Sequence, residues 1–246
     1  MQKKLSLIII LLSSIYFISQ FSRASLGVVV IDIAADLNLN SEQIGRLGGL
    51  FFLSFALTQV PLGIILDAFN PIKIITYMMF IIFLGFFLFG IAENYYLLIL
   101  ARILQGIGCG VCLMGPLVLL TKILDEKDFA LYSGIVMGLG GLGALFATEP
   151  FFYIVSKIGW GSAFYYFSFL ILFLIFLLYL FPKEKKLKTK SKTNFNLKAF
   201  KTILFNKNFL LMLPMSMFGY ASAAFILTLW GGKFLSTVHN YSIENI

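Results

Sequence analysis

The sequence predicts an all-α, polytopic membrane protein with about seven transmembrane helices, and three observations predict it. Of the 246 residues, 60% are hydrophobic and only 12% are charged, about half the charged fraction that is usual in soluble domains. The apolar residues gather into stretches of about 20 residues, the length that a helix needs to cross a bilayer. Basic residues concentrate in alternate connections between these stretches. The lipid bilayer is therefore the expected surroundings of the chain.

The predicted spans follow one another with short connections, except for one Lys-rich connection after the sixth span. They cover residues 5–30, 44–66, 72–92, 95–120, 130–155, 162–181 and 209–235. This spacing predicts three parts. They are a six-helix N-terminal bundle over 1–181, a cytoplasmic linker over 182–208, and a seventh helix that starts an incomplete C-terminal bundle over 209–246.

Basic residues fall on one side of the predicted membrane. The linker holds nine Lys and one Glu, so its charge of +8 equals that of the whole chain. Short loops rich in Lys and Arg stay in the cytoplasm, so we expect a bacterial inner-membrane protein with its N-terminus inside and its C-terminus outside. Topology explains the basic run, and no nucleic-acid partner is expected. The remaining bases on this side are Lys3, Lys4, Lys73, Lys122 and Lys127.

Cys109 and Cys112 form a C-x-x-C pattern, but they lie inside the apolar stretch GIGCGVCLMG. Small residues in this setting are typical of close helix packing, so we predict no metal site, redox site or cofactor. A membrane enzyme would need clustered His, Asp or Cys side chains. The single His239 and the scattered acids do not provide such a cluster, and we predict that the protein is not an enzyme.

The connection between the second and third spans reads GIILDAFNPIK over residues 63–73. It resembles the signature loop of the major facilitator superfamily, G-x-x-x-D-R-x-G-R-R/K, with Gly63, Asp67 and Lys73 in matching positions. Ala68 stands in place of the usual Arg, and Asn70, which tolerates a left-handed backbone, replaces the second Gly. The resemblance implies that these three matching residues gate the protein through a charge pairing that exists in one conformation only.

Two more spans resemble the same family. RILQGIGCG, residues 102–110, is similar to the family's R-x-x-x-G-x-G pattern, and an Arg inside an apolar span is a functional candidate. We predict that Arg102 and Gln105 bind substrate or couple conformations; snorkelling of Arg102 to the membrane surface is the alternative. GIVMGLGGLGALFATEP, residues 134–150, is similar to G-x-x-x-G-P-x-x-G-G, with Leu139 in place of Pro. It predicts one small-residue face with gating positions at Gly134, Gly138 and Gly141, completed by Gly140 and Gly143.

Arg23 lies deep in the first span, and the nearest carboxylate of that region, Asp32, is nine residues away. A charge at that depth should face a cavity where an anion can bind. The stretch RASLGVVVIDIAADLNLNSEQIG resembles the first-span region of organic-anion members of the superfamily, which implies that Arg23 contacts the substrate. Interfacial snorkelling or a structural hydrogen bond is the alternative. We add Gln59 and Tyr220 as polar residues of spans that line the expected cavity.

Members of this superfamily have two six-span halves with the substrate between them, whereas this chain supplies one half, the linker and one further span. We therefore expect a truncated or split form. The predicted function is secondary transport of a small anionic or zwitterionic organic solute by alternating access, coupled to a proton or another ion. The alternative is a half-transporter or non-transporting fragment that acts as an interaction protein, either as a homodimer or beside a separate C-terminal half.

Overall fold

The computed structural model describes residues 2–180 and 205–225, and this part of the chain is helical and contains no strand. The chain divides into two compact units, Met1–Thr193 and Asn194–Ile246, of which the first holds eight of the described helices. In chain order the helices are α1 (Gln2–Asp36), α2 (Ser41–Ala68), α3 (Pro71–Gly90), α4 (Tyr95–Cys109), α5 (Val111–Ile123), α6 (Glu126–Phe146), α7 (Glu149–Ile158), α8 (Trp160–Leu180) and α9 (Lys207–Phe225).

Six helical segments of the described chain are long and apolar enough to cross a membrane. This confirms the predicted all-α membrane fold and its first six spans. Of the predicted seventh span, residues 209–225 lie in α9, and residues 226–235 lie outside the described residues. The six segments are Leu5–Asp36, Ser41–Ala68, Pro71–Gly90, Tyr95–Ile123, Glu126–Phe146 and Trp160–Leu180.

The turn between α1 and α2 is built by asparagines. Asn38 has a φ of 52°, and the N–H of Leu39 donates to the carbonyl of Ala34 at 3.0 Å, which is the hydrogen bond that closes a helix after a left-handed residue. Asn40 then caps α2, since its side chain and that of Gln43 each accept from the other residue's backbone N–H, at 2.9 and 3.0 Å. This stop signal places the end of α1 beyond residue 30, where the prediction had ended it.

Proline ends the fifth span earlier than predicted. The span was expected to run over residues 130–155, but α6 stops at Phe146 and a separate α7 begins at Glu149. Pro150 has no N–H for the carbonyl of Phe146, and its ring would collide with that carbonyl in a continuous helix. A milder break at Gly110 divides the fourth span into α4 and α5, which together still form one span.

An aromatic cluster forms the centre of the six-span unit. Helix α1 packs mainly on α6, α2 packs on α4, and α3 lies between α4 and α8. Phe21 of α1 is fully buried, and its ring lies 4.2 Å from that of Phe167 and 4.7 Å from that of Phe151. Rings from four helices therefore meet around α1, and the others in contact with Phe21 are Phe86, Phe146 and Phe164.

Two contacts mark the opposite ends of this unit. At one end, the indole N–H of Trp160 donates to Oδ2 of Asp36 at 2.7 Å and ties the start of α8 to the end of α1. At the other end, Nζ of Lys122 donates to the carbonyl of Leu66 at 3.4 Å. The connections after the second and fourth spans therefore lie at the same end, as the distribution of lysines predicted.

The close packing of α1 on α6 gives a sharp stability prediction. A Cβ on Gly143 would overlap the backbone carbonyl of Phe17, whereas a Cβ on Gly141 would meet nothing within 4 Å. We expect Gly143→Ala to cost about 1–3 kcal/mol of stability, because a backbone neighbour cannot move aside without separating the helices. Gly141→Ala is the matched control, and Ala is the better helix former. Thermal midpoints in detergent check this; equal midpoints for the two variants would refute the packing argument.

Candidate functional site

Arg23 lies against an aromatic ring of α2. The Arg23 side chain is partly buried, and its Cζ is 4.5 Å from the centroid of the Phe55 ring. A guanidinium at this distance is attracted by the face of the ring, so Phe55 orients the cation between α1 and α2. Sequence reasoning missed Phe55, since an aromatic residue in an apolar span carries no separate signal.

Gln59 follows Phe55 by one turn of α2, about 6 Å along the helix axis. Its side chain is partly buried, and it makes no hydrogen bond to a described residue. The amide offers both donors and an acceptor. We use the term Arg23 face for Arg23, Phe55 and Gln59. This face combines a cation, a ring and an accessible amide, which are the groups suited to holding a small organic anion.

Arg102 and Gln105 are brought together, but inside the bundle. Arg102 is 1% exposed and Gln105 is 0% exposed. The guanidinium donates to Oε1 of Gln105 at 2.9 Å and to the carbonyl of Ser22 at 3.1 Å. Its Nε donates to the carbonyl of Leu47 at 3.4 Å, and its Cζ lies 4.7 Å from the Phe51 ring. The Arg102 side chain is thus enclosed by protein and does not reach a surface of the described structure.

The amide of Gln105 extends this network to a fourth span. Its Nε2 donates to the carbonyl of Gly85 on α3 at 3.3 Å, and the Ser22 hydroxyl donates to its Oε1 at 3.5 Å. The Arg102 network therefore ties α1, α2, α3 and α4 together, mainly through backbone carbonyls. A solute cannot contact either side chain in this conformation, so their role in binding substrate stays a prediction.

The Arg102 network also contacts the backbone of α1 at the residue before Arg23. The carbonyl of Ser22, which accepts from Arg102, belongs to the peptide that leads into Arg23. A fixed guanidinium thus holds α1 at the position from which Arg23 projects. Cys109 and Cys112 lie beside this junction, both buried and neither in a disulfide, with Cys109 next to Ser22.

The loop predicted to gate the protein lies at the end marked by Lys122. Asp67 and Lys73 are both exposed, and neither forms an ion pair with a described residue. Asn70 is not left-handed, as the sequence had allowed, but extended, with a φ of −69°; its side chain accepts from the N–H of Ile72 and caps α3. Gly63 faces Met114 of α5, with room for a Cβ at 3.8 Å from the sulfur.

The glycines of α6 divide into two faces instead of forming the one face that was predicted. Gly140 and Gly143 lie directly against α1, at Tyr16 and Phe17. At each of the three gating positions predicted on α6, an added Cβ would have no atom of another described residue within 4 Å. Since successive helical residues are about 100° apart, the spacing of four and three residues gathers the second set on a separate open face: Gly134, Gly138 and Gly141.

Tyr220, the last predicted substrate contact, belongs to α9 in the second compact unit. Its side chain lies outside the described residues. The structure therefore brings together Arg23 and the helix that carries Gln59, and separately Arg102 and Gln105. Among the described residues, no group of three or more His, Cys, Asp and Glu side chains could hold a metal ion.

The chain is similar to part of each of several curated proteins. The chain is 30% identical over 134 residues to multidrug resistance protein MdtL of Vibrio parahaemolyticus, spanning 54% of this chain and 33% of that protein. It is 26% identical to the "Probable sulfoacetate transporter SauU" of Cupriavidus necator, over 61% of this chain and 35% of that one. It is 27% identical to the uridine/deoxyuridine transporter of Lactococcus lactis, over 61% and 31%.

The chain therefore matches only about a third of the length of these relatives. Among solved structures, it is similar to a bacterial homologue of the human lysosomal transporter Spinster in an inward-facing, unoccupied conformation. The TM-score is 0.74 at 23% identity, and the match covers 99% of this chain and 58% of that one. The sequence model of the Major Facilitator Superfamily matches residues 12–246. With its membrane-spanning helical bundle, this chain belongs to the Major Facilitator Superfamily.

Proposed function

We propose that this chain is the N-terminal part of a secondary transporter for a small anionic or zwitterionic organic solute, working by alternating access. The observation that carries this proposal is the Arg23 face, where a cation between two spans is oriented by Phe55 at 4.5 Å. A positively charged guanidinium next to an accessible amide favours carboxylate or sulfonate groups. One relative is named for sulfoacetate, which is an organic anion.

The roles of the site residues differ in this proposal. Arg23 and Gln59 contact the solute directly, and Tyr220 of the second unit remains a predicted substrate contact whose side chain lies outside the described residues. Arg102 and Gln105 shape the site in the described conformation by holding α1, α2 and α3, and they reach the solute only in another conformation. A proton or another ion supplies the driving force, and the chemistry requires no cofactor. We place the protein in a bacterial inner membrane with its N-terminus in the cytoplasm.

Gating is proposed for the α2–α3 connection and for the open glycine face of α6. Lys122 contacts the carbonyl of Leu66, the residue before Asp67, so it can supply the base that Ala68 cannot. A pairing of Lys122 with Asp67 would hold α5 against α2 in one conformation only. Gly63 and Lys73 flank this pair, while Gly134, Gly138 and Gly141 leave α6 free to meet another helix closely.

Transport assays test the proposal directly. The natural protein is expressed in membranes, and uptake of radiolabelled sulfoacetate and of uridine is compared with uptake by cells that lack it. We expect sulfoacetate, or another organic anion that inhibits sulfoacetate uptake, to be transported in preference to uridine, since uridine offers no charge for Arg23. Preferential uptake of uridine would contradict an anion site, and a size analysis of the membrane product shows which length of chain performs the transport.

The open glycine face also supports a second candidate, an interaction protein that does not transport. Three glycines with no described neighbour would let a second copy or a separate C-terminal half approach α6 backbone to backbone. A cysteine at Gly138 tests this by crosslinking in membranes. Crosslinked dimers together with an absence of uptake would favour this candidate over the transporter.

A further inference from the structure

An apolar groove of about 560 Å³ runs between α3 and α8, on helices that do not carry the Arg23 face. Helix α8 contributes Phe169, Phe173, Phe176 and Tyr179, and α3 contributes Thr76. The α8 residues recur at three- and four-residue spacing, so they lie on one helical face. From Phe169 to Tyr179 the groove extends about 15 Å along α8, which is half of the roughly 30 Å hydrocarbon core of a bilayer.

This groove has one polar end. Helices α3 and α8 are antiparallel, because Gly90 at the end of α3 lies against Gly161 near the start of α8. The start of α3 therefore meets the end of α8. At this end Lys73 is exposed, one turn before Thr76 on the same face of α3, and Tyr179 is 71% exposed.

We infer that the groove is a binding site for an anionic phospholipid, with one acyl chain along α8 and the headgroup phosphate at Lys73 and Tyr179. The inference goes beyond the transport function and does not depend on it. The groove matches the depth of one leaflet, is apolar along its length, and has its cation and its phenol where a headgroup would lie. A second protein chain would have to supply both an acidic partner for Lys73 and an apolar surface that covers the mostly aromatic groove. A phospholipid supplies both chemistries in one molecule.

Native mass spectrometry of the whole chain, purified in a lipid-stripping detergent, tests this inference. Phosphatidylglycerol and phosphatidylcholine with identical acyl chains are added in turn. We expect phosphatidylglycerol to remain bound at several-fold lower concentration than phosphatidylcholine, and to raise the thermal midpoint more. Equal binding of the two lipids would overturn the inference and would mean that the groove holds bulk lipid only. Loss of lipid binding on formation of dimers would also overturn it, since a second copy would then fill the groove.

Matched variants locate the site. Lys73→Gln is expected to reduce phosphatidylglycerol binding several-fold, to the level of phosphatidylcholine. Lys127→Gln removes the same charge from an exposed residue on α6 at the same end of the unit and should leave binding unchanged. Thr76→Trp fills the groove and should weaken binding of both lipids. If Thr76→Trp lowers the thermal midpoint without lipid, the location of the site is judged from the two Lys variants alone. Equal phosphatidylglycerol binding by Lys73→Gln and Lys127→Gln would mean that the lipid binds elsewhere.

Discussion

Replacing Arg23 with glutamine is expected to lower uptake of an organic anion by about 10- to 100-fold, with the protein still present in the membrane. Glutamine keeps hydrogen-bond donors but removes the charge, and a hydrogen bond to a charged group is worth about 1.5–3 kcal/mol, or one to two powers of ten in binding. Because Arg23 is partly buried against Phe55, water screens this interaction less than at the surface. Initial uptake rates of sulfoacetate, scaled to the amount of membrane protein, measure the effect.

Arg46→Gln is the control for this experiment. Arg46 is an exposed arginine of α2 that pairs with Glu42 one turn away, and such surface pairs contribute about 0–1 kcal/mol. The Arg46→Gln substitution removes an equal charge without changing the Arg23 face, so we expect uptake to be nearly normal. Normal uptake by the Arg23 variant would remove Arg23 from the site. An equal loss in both variants would show that the effect comes from total charge.

Arg102→Leu is expected to destabilise the six-span unit by about 3 kcal/mol or more. The variant leaves Oε1 of Gln105 and the carbonyls of Ser22 and Leu47 without the donor that they have now. Each buried polar group left without its partner costs about 1–3 kcal/mol. The leucine also fills less of the space between α2 and α4. We expect a lower thermal midpoint in detergent and a smaller yield of protein from membranes.

Arg102→Lys separates a structural role from a role in binding. A single ammonium group cannot reproduce the fork of donors that contacts three oxygens, so an intermediate midpoint is expected. If uptake per folded molecule stays normal in this variant, Arg102 acts by holding the bundle. If the midpoint is normal and uptake is lost, Arg102 meets the solute in another conformation. An Arg102→Leu variant as stable as the unsubstituted protein would contradict the structural role altogether.

Local features of the sequence predicted the first six spans, although not all of their ends. Apolar runs long enough to cross a bilayer are visible in composition alone, because lipid selects apolar side chains on every outward face. Hydropathy alone extended the predicted fifth span past Pro150, because the residues that follow are still apolar. The N–H that Pro150 lacks has no effect on hydropathy, although the helix breaks there. A proline alone does not predict such a break, because α2 and α5 continue through Pro61 and Pro116.

The sequence did not predict which residues contact one another across different helices. The spacing of the α6 glycines is sufficient to separate Gly140 and Gly143 from Gly134, Gly138 and Gly141, but only the packing of α1 shows which set is covered. Lys122 was visible as one base of a loop, yet its contact with the end of α2 depends on how the second and fourth spans cross.

By itself, the sequence determined that this chain is a helical membrane protein of the Major Facilitator Superfamily type, with two arginines in its spans. Only the tertiary structure decided what surrounds each arginine. Arg23 lies on a ring between two helices, and Arg102 is enclosed by carbonyls of its neighbours. The physical reason is that hydropathy is summed along the chain, whereas burial and hydrogen bonding depend on which helices approach, and those approaches join residues as far apart as Ser22 and Arg102.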